Sequence, residues 1–396
     1  MRNVGTIVRG IRTPIIKEGD DLARIVVDSV LEAAKNEDFE IEDRDVIAIT
    51  EAVVGISEGN FATLDQIATD IKNKLNNSDH IGIVFPILSR NRFAVLLSAM
   101  ARATKKITLL CSYPSDEVGN DILYKEDLIK YNINPSSDVI SEEEYKEKFG
   151  HFKHLFTGVN MYEVYKELVN KEGCEFEMVF SNRPETILDY TKTVINCDIH
   201  TRKETKEKLI LAGAERAISM SEILTESVDG SGYSPYGLLG SNRSTEEKVK
   251  LFPRTGSVLV NSVQQIMKTK TGKTVEVMVY GDGAFKDPVG KIWELADPVV
   301  SPAYTKGLEG SPNEIKLKYF SENKYKDLKG EELNKAMREE IAKKDKELKG
   351  TMATQGTTPR RYTDLIGSLC DLTSGSGDKG TPVVLVQRYF TNYSQE

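Results

Sequence analysis

The stretch 78–226 alternates short apolar runs with helical patterns, and this alternation restricts the fold more than any other feature of the chain. Two of the runs, 80–88 and Lys106–Cys111, contain few polar residues, and an alanine-rich helix is predicted between them at 91–103. Apolar runs separated by helices are typical of a parallel sheet covered on both faces. The pattern therefore predicts a Rossmann-like α/β domain. Its remaining strands are expected at Glu175–Phe180, 191–197 and 216–218, and its polar middle, 116–148, is expected to be a surface excursion.

The segments on either side of 78–226 predict a second domain with a mixed sheet, which the Rossmann-like domain interrupts. A strand at 4–9 precedes a helix that begins at Asp20 or Asp21, because apolar residues recur there at helical period. Further strands are expected at 45–54, 275–280 and 382–388, and further helices at 255–271 and 363–373. We therefore predict an α/β (α+β) protein with domain segments 1–77, 78–226 and 227–396.

Composition excludes several classes of function. The 396 residues carry a formal net charge of −8, so a broad basic surface is not expected and nucleic acid is not a predicted partner. No apolar run approaches the roughly 20 residues that a membrane-spanning helix needs, and the first residues lack the apolar core of a secretory signal. The four cysteines are scattered singly, which indicates buried, reduced thiols. We expect a cytoplasmic protein with no membrane and no nucleic-acid partner.

The segment 13–23 joins an extended, proline-containing stretch to a glycine turn, two acids and an amphipathic helix. Ordinary propensities predict a turn followed by a helix cap at Gly19, Asp20 and Asp21. The segment also resembles the opening signature of the coenzyme F-420 γ-glutamyl ligase family, enzymes that use GTP and a divalent metal to add glutamate to a deazaflavin precursor. The resemblance implies that extended backbone contacts GTP at Thr13, Pro14, Ile15 and Ile16.

Asp282 lies between two glycines at the end of a predicted buried strand. Ligands of α/β folds bind at such strand ends, and a carboxylate suits Mg²⁺ or Mn²⁺; the alternative is a turn aspartate without a ligand. The family has a strand that ends in Asp-Thr-x-Gly-Arg-Pro, whose aspartate binds metal. This chain keeps Asp282 and Pro288 but has Gly283 in place of the threonine and lacks the arginine. The resemblance implies that Asp282 is a catalytic metal ligand, and that Lys286 supplies positive charge.

The run 237–242, Gly-Leu-Leu-Gly-Ser-Asn, is similar to a family loop, Gly-Ile-Asp-x-Ser-Asn, in which the acid binds metal and the asparagine touches nucleotide. By this resemblance Asn242 is expected to contact nucleotide. Leu239 stands where the acid should be, and leucine cannot coordinate a metal. Either Asp229 or Glu226 takes over as ligand, or one metal is lost, and Asp229 is the ligand that we predict.

The loop 372–382 leads into the last predicted strand, and its glycines and serines expose N–H groups that can hold phosphate; a flexible loop is the alternative. The matching loop of the family holds GTP phosphate. The resemblance also places nucleotide beside Glu51, where the family has Ser-Thr, whereas Ile56 replaces a family lysine that would have met phosphate. The nucleotide contacts expected from the loop itself are Gly375, Ser376, Gly377 and Asp378.

Together these motifs predict an amide ligase that works through an acyl phosphate, with Mg²⁺ or Mn²⁺ and with GTP or ATP as co-substrate. The expected partners are a small-molecule acceptor and an amino acid, L-glutamate in the family, and the family's dimers predict a homodimer. One alternative is a nucleotide- or small-molecule-binding protein that has lost catalysis, since Leu239, Ile56 and Ser376 replace three polar contacts. Another is an amide ligase with a changed acceptor, for which 78–226 forms a new pocket.

Overall fold

The chain divides into two compact units in the computed structural model. The first unit comprises Met1–Val54, Thr255–Gly283 and Val299–Glu396, and the second comprises Gly55–Arg254 and Ala284–Pro298. The structure describes residues 3–90, 92–155, 157–281, 301–344, 360–373 and 377–394, with the short stretches 285–286, 293–294, 348, 351–354 and 375.

The strands alternate with helices along most of the chain. The strands are β1 Ile7–Ile11, β2 Val46–Thr50, β3 Phe61–Thr63, β4 His80–Val84, β5 Lys106–Cys111, β6 Glu175–Phe180, β7 Thr193–Asn196, β8 Arg216–Ser219, β9 Asn242–Arg243, β10 Lys248–Lys250, β11 Glu276–Tyr280, β12 Phe285–Lys286, β13 Trp293–Glu294, β14 Ala303–Tyr304 and β15 Val383–Gln387.

The helices differ widely in length. They are α1 Leu22–Asn36, α2 Glu51–Ser57, α3 Leu64–Lys74, α4 Phe93–Arg102, α5 Lys125–Lys130, α6 Glu142–Lys148, α7 Met161–Lys171, α8 Arg202–Leu211, α9 Gly256–Thr271, α10 Leu317–Glu322, α11 Gly330–Lys343 and α12 Tyr362–Thr373. Short 3-10 turns occur at Pro184–Asp189, Met220–Glu222, Lys306–Leu308 and Met352–Thr354.

The first unit is built on a mixed sheet with the strand order β1-β15-β2-β11-β14. Only the β2–β11 pair is parallel, and the other three pairs are antiparallel. Every residue of β2, β11 and β15 is buried, because helices cover the sheet on both faces. Helix α12 packs on one face through Ile366 and Cys370, and α9 contacts β11 and α1.

Helix α1 begins as its sequence predicts. The side chain of Asp20 accepts a hydrogen bond from the Lys17 N–H at 2.7 Å, and Gly19 takes the left-handed conformation with φ of 83°. Asp21 then caps the helix by accepting from the Arg24 N–H at 3.2 Å. The predicted turn and cap are therefore confirmed, and they account for both acids without a ligand.

The second unit contains a fully parallel sheet with the strand order β6-β5-β4-β7-β8. The chain moves outward from β4 in one direction and then in the other, as in doubly wound folds. Ile83 and Leu109 point into a core with α3, α4 and α7, while Val84 and Leu110 point to the opposite face. The α/β class is confirmed, and the domain boundaries at 77/78 and 226/227 stay predictions.

A second, smaller sheet of this unit has the strand order β3-β10-β9, and all its pairs are antiparallel. Its core face carries Ala62 and Val249, which are buried in the same apolar cluster as the parallel sheet. The hairpin of β12 and β13 pairs Phe285 with Glu294.

Three expectations about local structure were wrong in part. The strand predicted at 45–54 ends at Thr50, and α2 begins at the next residue. The strand predicted at 80–88 ends at Val84, because Phe85 takes a φ of 54° that breaks the extended chain.

The polar segment 116–148 is also more than a surface excursion. It contributes Ile122, Leu123 and Tyr145 to the core, each at most 1% exposed. Tyr145 lies in α6, and Ile122 and Leu123 lie just before α5. Charged residues outnumber these apolar anchors, so the average polarity of the segment conceals them.

The cysteines behave as the sequence predicts. All four are free and buried. Burial raises the pKa of each thiol, to about 11 for Cys174 and well above the usual value for the other three. Their thiolate forms are therefore disfavoured, and the thiols serve as packing groups. In the part of the chain that the structure describes, we find no helix with the length and apolar character needed to cross a bilayer.

Arg102 joins four separate parts of the second unit. At the end of α4 its guanidinium group donates to Glu172 at 2.8 Å, to Glu247 at 2.7 and 3.0 Å, and to Asp65 at 3.1 Å. Hydrogen bonds to Glu247 and Glu172 raise the pKa of Arg102 above its usual value. The planar group bonds three carboxylates at once, which an ammonium group cannot do in the same geometry.

We expect Arg102→Met to lower the free energy of unfolding by about 2 kcal/mol, since three carboxylates lose one partner. Urea denaturation of the full chain measures the change. Lys105→Met is the matched control, because Lys105 pairs with Asp79 at 2.8 Å on an exposed surface and should contribute below about 0.5 kcal/mol. Equal losses in the two variants would contradict the role of Arg102.

Asp116 is a buried acid, 7% exposed, that accepts hydrogen bonds from the Leu88 N–H at 2.8 Å and from the Asn120 N–H and amide at 2.8 Å. Burial outweighs these donors and raises the pKa of Asp116 from 3.8 to about 6. A carboxyl group whose pKa is raised on folding stabilises the protein fully below its unfolded pKa. That contribution is lost as the pH rises to the folded pKa.

Between about pH 4 and pH 6.5 we expect the wild type to lose about 3 kcal/mol of stability relative to Asp116→Asn, which cannot ionise. Urea denaturation at a series of pH values gives the difference. Asp79→Asn, at an exposed acid, should leave the pH profile unchanged. A constant difference between wild type and Asp116→Asn across this range would show that Asp116 stays ionised.

Candidate functional site

The carboxyl ends of β2 and β11 define one edge of the first unit's sheet, which we call the carboxyl edge. Thr50 and Tyr280, the last residues of these parallel strands, lie opposite each other. The antiparallel neighbours bring other segments to this edge, because Val383 at the start of β15 pairs with Ile49 and with Ile11 at the end of β1. Four chain segments therefore meet at the carboxyl edge.

Two predicted nucleotide-binding segments are brought together there. The Thr13 N–H donates to the Gly380 carbonyl at 3.3 Å, and the Thr50 N–H donates to the Pro382 carbonyl at 2.9 Å. The Gly380 N–H bonds back to the Gly377 carbonyl at 2.9 Å, so 377–380 is a tight turn, and Gly380 takes a φ of 66°. Segment 13–16 thus lies beside the glycine-rich loop, as the nucleotide prediction requires.

The side chains of segment 13–16 differ in exposure: one anchors the segment and its neighbour faces solvent. Ile16 is 8% exposed and anchors the segment, whereas the neighbouring Ile15 is 88% exposed. The Thr13 hydroxyl donates to the Pro14 carbonyl at 2.8 Å. A large apolar side chain presented to solvent beside a glycine-rich loop is a surface that a planar ring could cover.

Glu51 also lies at the carboxyl edge. It is the first residue of α2, directly after β2, and it is 4% exposed. A buried carboxylate at a strand end suits contact with a ligand or with neighbouring donors better than contact with bulk solvent.

Some of the remaining predicted site residues of the first unit lie within the described part of the chain, and others do not. Gly375, Gly377 and Asp378 belong to the described loop, and Asp378 is exposed. Asp282 and Ser376 lie outside the described residues. Strand β11 ends at Tyr280, two positions before Asp282 in the chain.

The second unit contains the other predicted site residues, Lys286, Asn242 and Asp229. Lys286 lies in β12, opposite Trp293. Asn242 begins β9, opposite Lys250, and is half-buried. Asp229 is exposed, with a φ of 48°, and its carbonyl accepts from the Gln66 amide at 2.9 Å.

Leu239 has a packing role that explains the absence of an acid. Leu238 and Leu239 are each 1% exposed and belong to the apolar core of the second unit. An aspartate in that position would lose its hydration and gain no polar or oppositely charged partner among the apolar side chains of this core. The described residues contain no group of three or more His, Cys, Asp or Glu that could hold a metal ion. Taken alone, they do not fit a metal, and Asp282 lies outside them.

Asn60 is a structural centre that no sequence signal indicates. Its amide donates to the Tyr233 and Phe252 carbonyls at 3.0 and 2.9 Å, and its oxygen accepts from the Tyr233 N–H at 3.0 Å and from Arg254 at 2.6 Å. All four bonds cross more than 170 positions of sequence. Asn60 thereby joins the loops on either side of β9 and β10.

Arg254 supports the loops around Asn60. The sequence also makes it a candidate to clamp a carboxylate or phosphate, and that role stays a prediction. Its guanidinium group bonds Asn60 and lies over the Tyr233 ring at 4.9 Å from the centroid, while its backbone N–H donates to Glu58 at 3.1 Å. These contacts within the second unit assign Arg254 to the support of the loops.

Comparison with known proteins adds one finding. The sequence model of the F420-0:gamma-glutamyl ligase family matches residues 10–388, which is nearly the whole chain and includes the segments of both units. A search of curated proteins gives no match.

Gly237 is required by a close backbone approach in the second unit. It takes a φ of 59°, and a Cβ atom there would lie 2.5 Å from the Met220 carbonyl oxygen. We expect Gly237→Ala to lower the free energy of unfolding by about 3 kcal/mol or more. Gly230→Ala is the matched control, since Gly230 has a φ of 75° and open space around it; it should lose about 1 kcal/mol. Thermal and urea denaturation measure the stability of both variants. If crowding against the Met220 carbonyl were unimportant, the two variants would lose equal stability.

Proposed function

Because the chain belongs to the F420-0:γ-glutamyl ligase family, we propose that it joins an amino acid to a small-molecule acid through an amide bond, with GTP or ATP as co-substrate. The family match supports a ligase. The convergence of segments 13–16 and 377–380 at the carboxyl edge, through the hydrogen bond from Thr13 to Gly380, is the observation that best supports a nucleotide site in the first unit.

The proposed nucleotide site follows from the chemistry of the carboxyl edge. Ligands of α/β proteins bind beyond the carboxyl ends of strands, and glycine-containing turns can hold phosphate oxygens through backbone N–H groups. The exposed Ile15 offers an apolar contact for a purine ring, and Asp378 lies on the adjoining turn. Gly375, Ser376 and Glu51 complete the nucleotide contacts that we propose here.

The proposed reaction has two steps. In the first, a carboxylate oxygen of the acceptor attacks the γ-phosphorus of the nucleotide, the bond to the bridging oxygen breaks, and the nucleoside diphosphate leaves. The product is an acyl phosphate. In the second, the amine of the amino acid attacks the acyl carbon, a C–N bond forms, and inorganic phosphate leaves as the amine gives up a proton. Lys286 stays a predicted source of positive charge, and no step of the reaction is assigned to it.

A divalent metal is part of the proposal through Asp282, and the role of Asp229, which belongs to the second unit, stays a prediction. When bound, Mg²⁺ or Mn²⁺ would offset the negative charge of the phosphates. Since the described residues alone do not form a metal site, no step of the reaction is assigned to the ion.

One observation favours a second candidate function. Leu239 is buried in the core, so an acid at that position, which a second metal would need, would lie among apolar side chains. A protein that binds nucleotide or another small molecule without catalysis would tolerate this change.

We also propose that the protein is a cytoplasmic homodimer; gel filtration with light scattering tests its oligomeric state.

We expect phosphate release from GTP only when Mg²⁺ or Mn²⁺, L-glutamate and a deazaflavin acid acceptor are all present. Asp282→Asn should lower the rate by about 100-fold or more, because charge at the phosphates would no longer be offset. Asp287→Asn, at a second acid of the same segment, is the control and should retain the rate. A colorimetric phosphate assay measures all three proteins. Calorimetric binding of GTP without metal, together with no phosphate release, would favour the non-catalytic candidate, and full turnover by Asp282→Asn would exclude Asp282.

A further inference from the structure

The loops after β4 and β7 lead to opposite faces of the parallel sheet. β4 is followed by α4, which packs in the core on one face, and β7 is followed by α8, whose Leu209 packs on the other face. β4 and β7 are neighbours in the sheet. In doubly wound folds such a divergence creates a crevice at the carboxyl ends of the two strands, and ligands bind there.

The segment after β5, residues 115–121, lies between these two loops, and we call it the covering segment. An antiparallel bridge between Ser115 and Asp121 joins its two ends. Asp116 holds it to the loop after β4, because its carboxyl group accepts a hydrogen bond from the Leu88 N–H at 2.8 Å. A buried acid therefore fixes the covering segment on the β4 side.

Glu117 holds the covering segment to the loop after β7. Its two carboxyl oxygens accept from consecutive backbone N–H groups, those of Ile199 at 2.7 Å and His200 at 3.1 Å. Part of Glu117 is exposed, but its carboxyl group lies against the loop. Since Asp116 and Glu117 are adjacent, the covering segment bridges the two loops at the place where folds of this class have their ligand crevice.

A second carboxyl group, that of Asp198, meets Glu117 in this contact. Asp198 is 4% exposed, and it accepts hydrogen bonds from the Thr201 N–H at 2.9 Å, from the Thr201 hydroxyl and from the Thr205 hydroxyl at 2.7 Å. Two ionised carboxylates in contact repel each other, so one of them carries a proton. Lost hydration and the charge of Asp198 raise the pKa of Glu117 from 4.5 to about 8, which assigns the proton to Glu117.

The other charged groups around this contact have different partners. On α8, the Arg202 guanidinium group donates to a backbone carbonyl of the loop, and Lys208 pairs with Glu204 at 2.8 Å. His200 is exposed and contributes its backbone N–H to the contact. Asp116 directs its carboxyl group to donors on the β4 side and within the covering segment. The proton on Glu117 is therefore what relieves the repulsion from Asp198.

We propose that the covering segment occludes the ligand crevice of the parallel sheet and opens with the release of one proton from Glu117. In the open state the carboxyl group is hydrated and ionised, its proton has gone to water, and the Ile199 and His200 N–H groups have lost their acceptor. A rise in pH favours the state that binds fewer protons, which is the open one. The inference concerns the second unit alone and does not rest on the proposed ligase reaction.

Hydrogen exchange at the Ile199 and His200 amides measures the opening directly, because Glu117 is their acceptor. Mass spectrometry of the full chain follows these amides, and each rate is divided by the intrinsic exchange rate at the same pH. Between about pH 6.5 and about pH 7.5 we expect the corrected wild-type rate to rise about tenfold, since opening releases one proton. Asp116, with a pKa of about 6, is largely ionised across this range in the closed state.

Three variants test the assignment to Glu117. Glu117→Gln keeps the shape of the side chain and cannot ionise, so its corrected rate should stay the same across this range. Glu126→Gln removes an exposed acid of α5 and should keep the wild-type rise. His200→Gln should keep it as well, because the imidazole takes no part in the contact. Thermal denaturation shows whether each variant is folded.

An equal rise in the wild type and in a folded Glu117→Gln protein would overturn the proposal, and so would a flat profile in His200→Gln. If Glu117→Gln fails to fold, the wild type and His200→Gln decide the question. A tenfold rise in both supports the proposal, whereas a corrected wild-type rate that does not change with pH overturns it. None of these measurements uses substrate, so a failure of the proposed function would leave them unaffected.

Discussion

The placement of β15 between β1 and β2 is the constraint on which the first unit depends. β15 comes from residues 383–387, and its neighbours β1 and β2 come from the first fifty positions. The hydrogen bonds of these pairs bring the end of β1 and the start of β15 to the carboxyl edge. If β15 were absent, β1 would lose its partner in the sheet, and the turn 377–380 would have no fixed position beside segment 13–16.

Much of the fold could be predicted from the sequence, because a strand that is buried on both faces consists mostly of apolar residues. β4, β5 and β11 are nearly continuous apolar runs, and their strands were expected close to where they occur. Helix ends could be predicted as well, because Asp21 caps α1 and Gly272 ends α9 in the left-handed conformation. In such places local chemistry and tertiary structure require the same residue.

The parts that could not be predicted depend on partners far away in the chain. The role of Asn60 follows from four bonds to loops beyond position 230, and the burial of Lys250 follows from its neighbours β3 and β9. The candidate site shows the same division. A motif indicated segment 13–16 and the glycine-rich loop, whereas the packing of Leu239 appeared only once its core was known. The contacts of Arg254 with Asn60 and Tyr233 likewise could not be predicted from its charge.

The discontinuity of the first unit also governs the order in which the protein can form on the ribosome. The second unit is encoded almost entirely by 55–254, so its parallel sheet can assemble while the later part of the chain is still being translated. β2 must wait, because both of its neighbours, β11 and β15, emerge later. During that interval β2 lacks its neighbours in the sheet, so its apolar side chains are exposed and chaperones can bind them. The sheet is complete only when translation has ended.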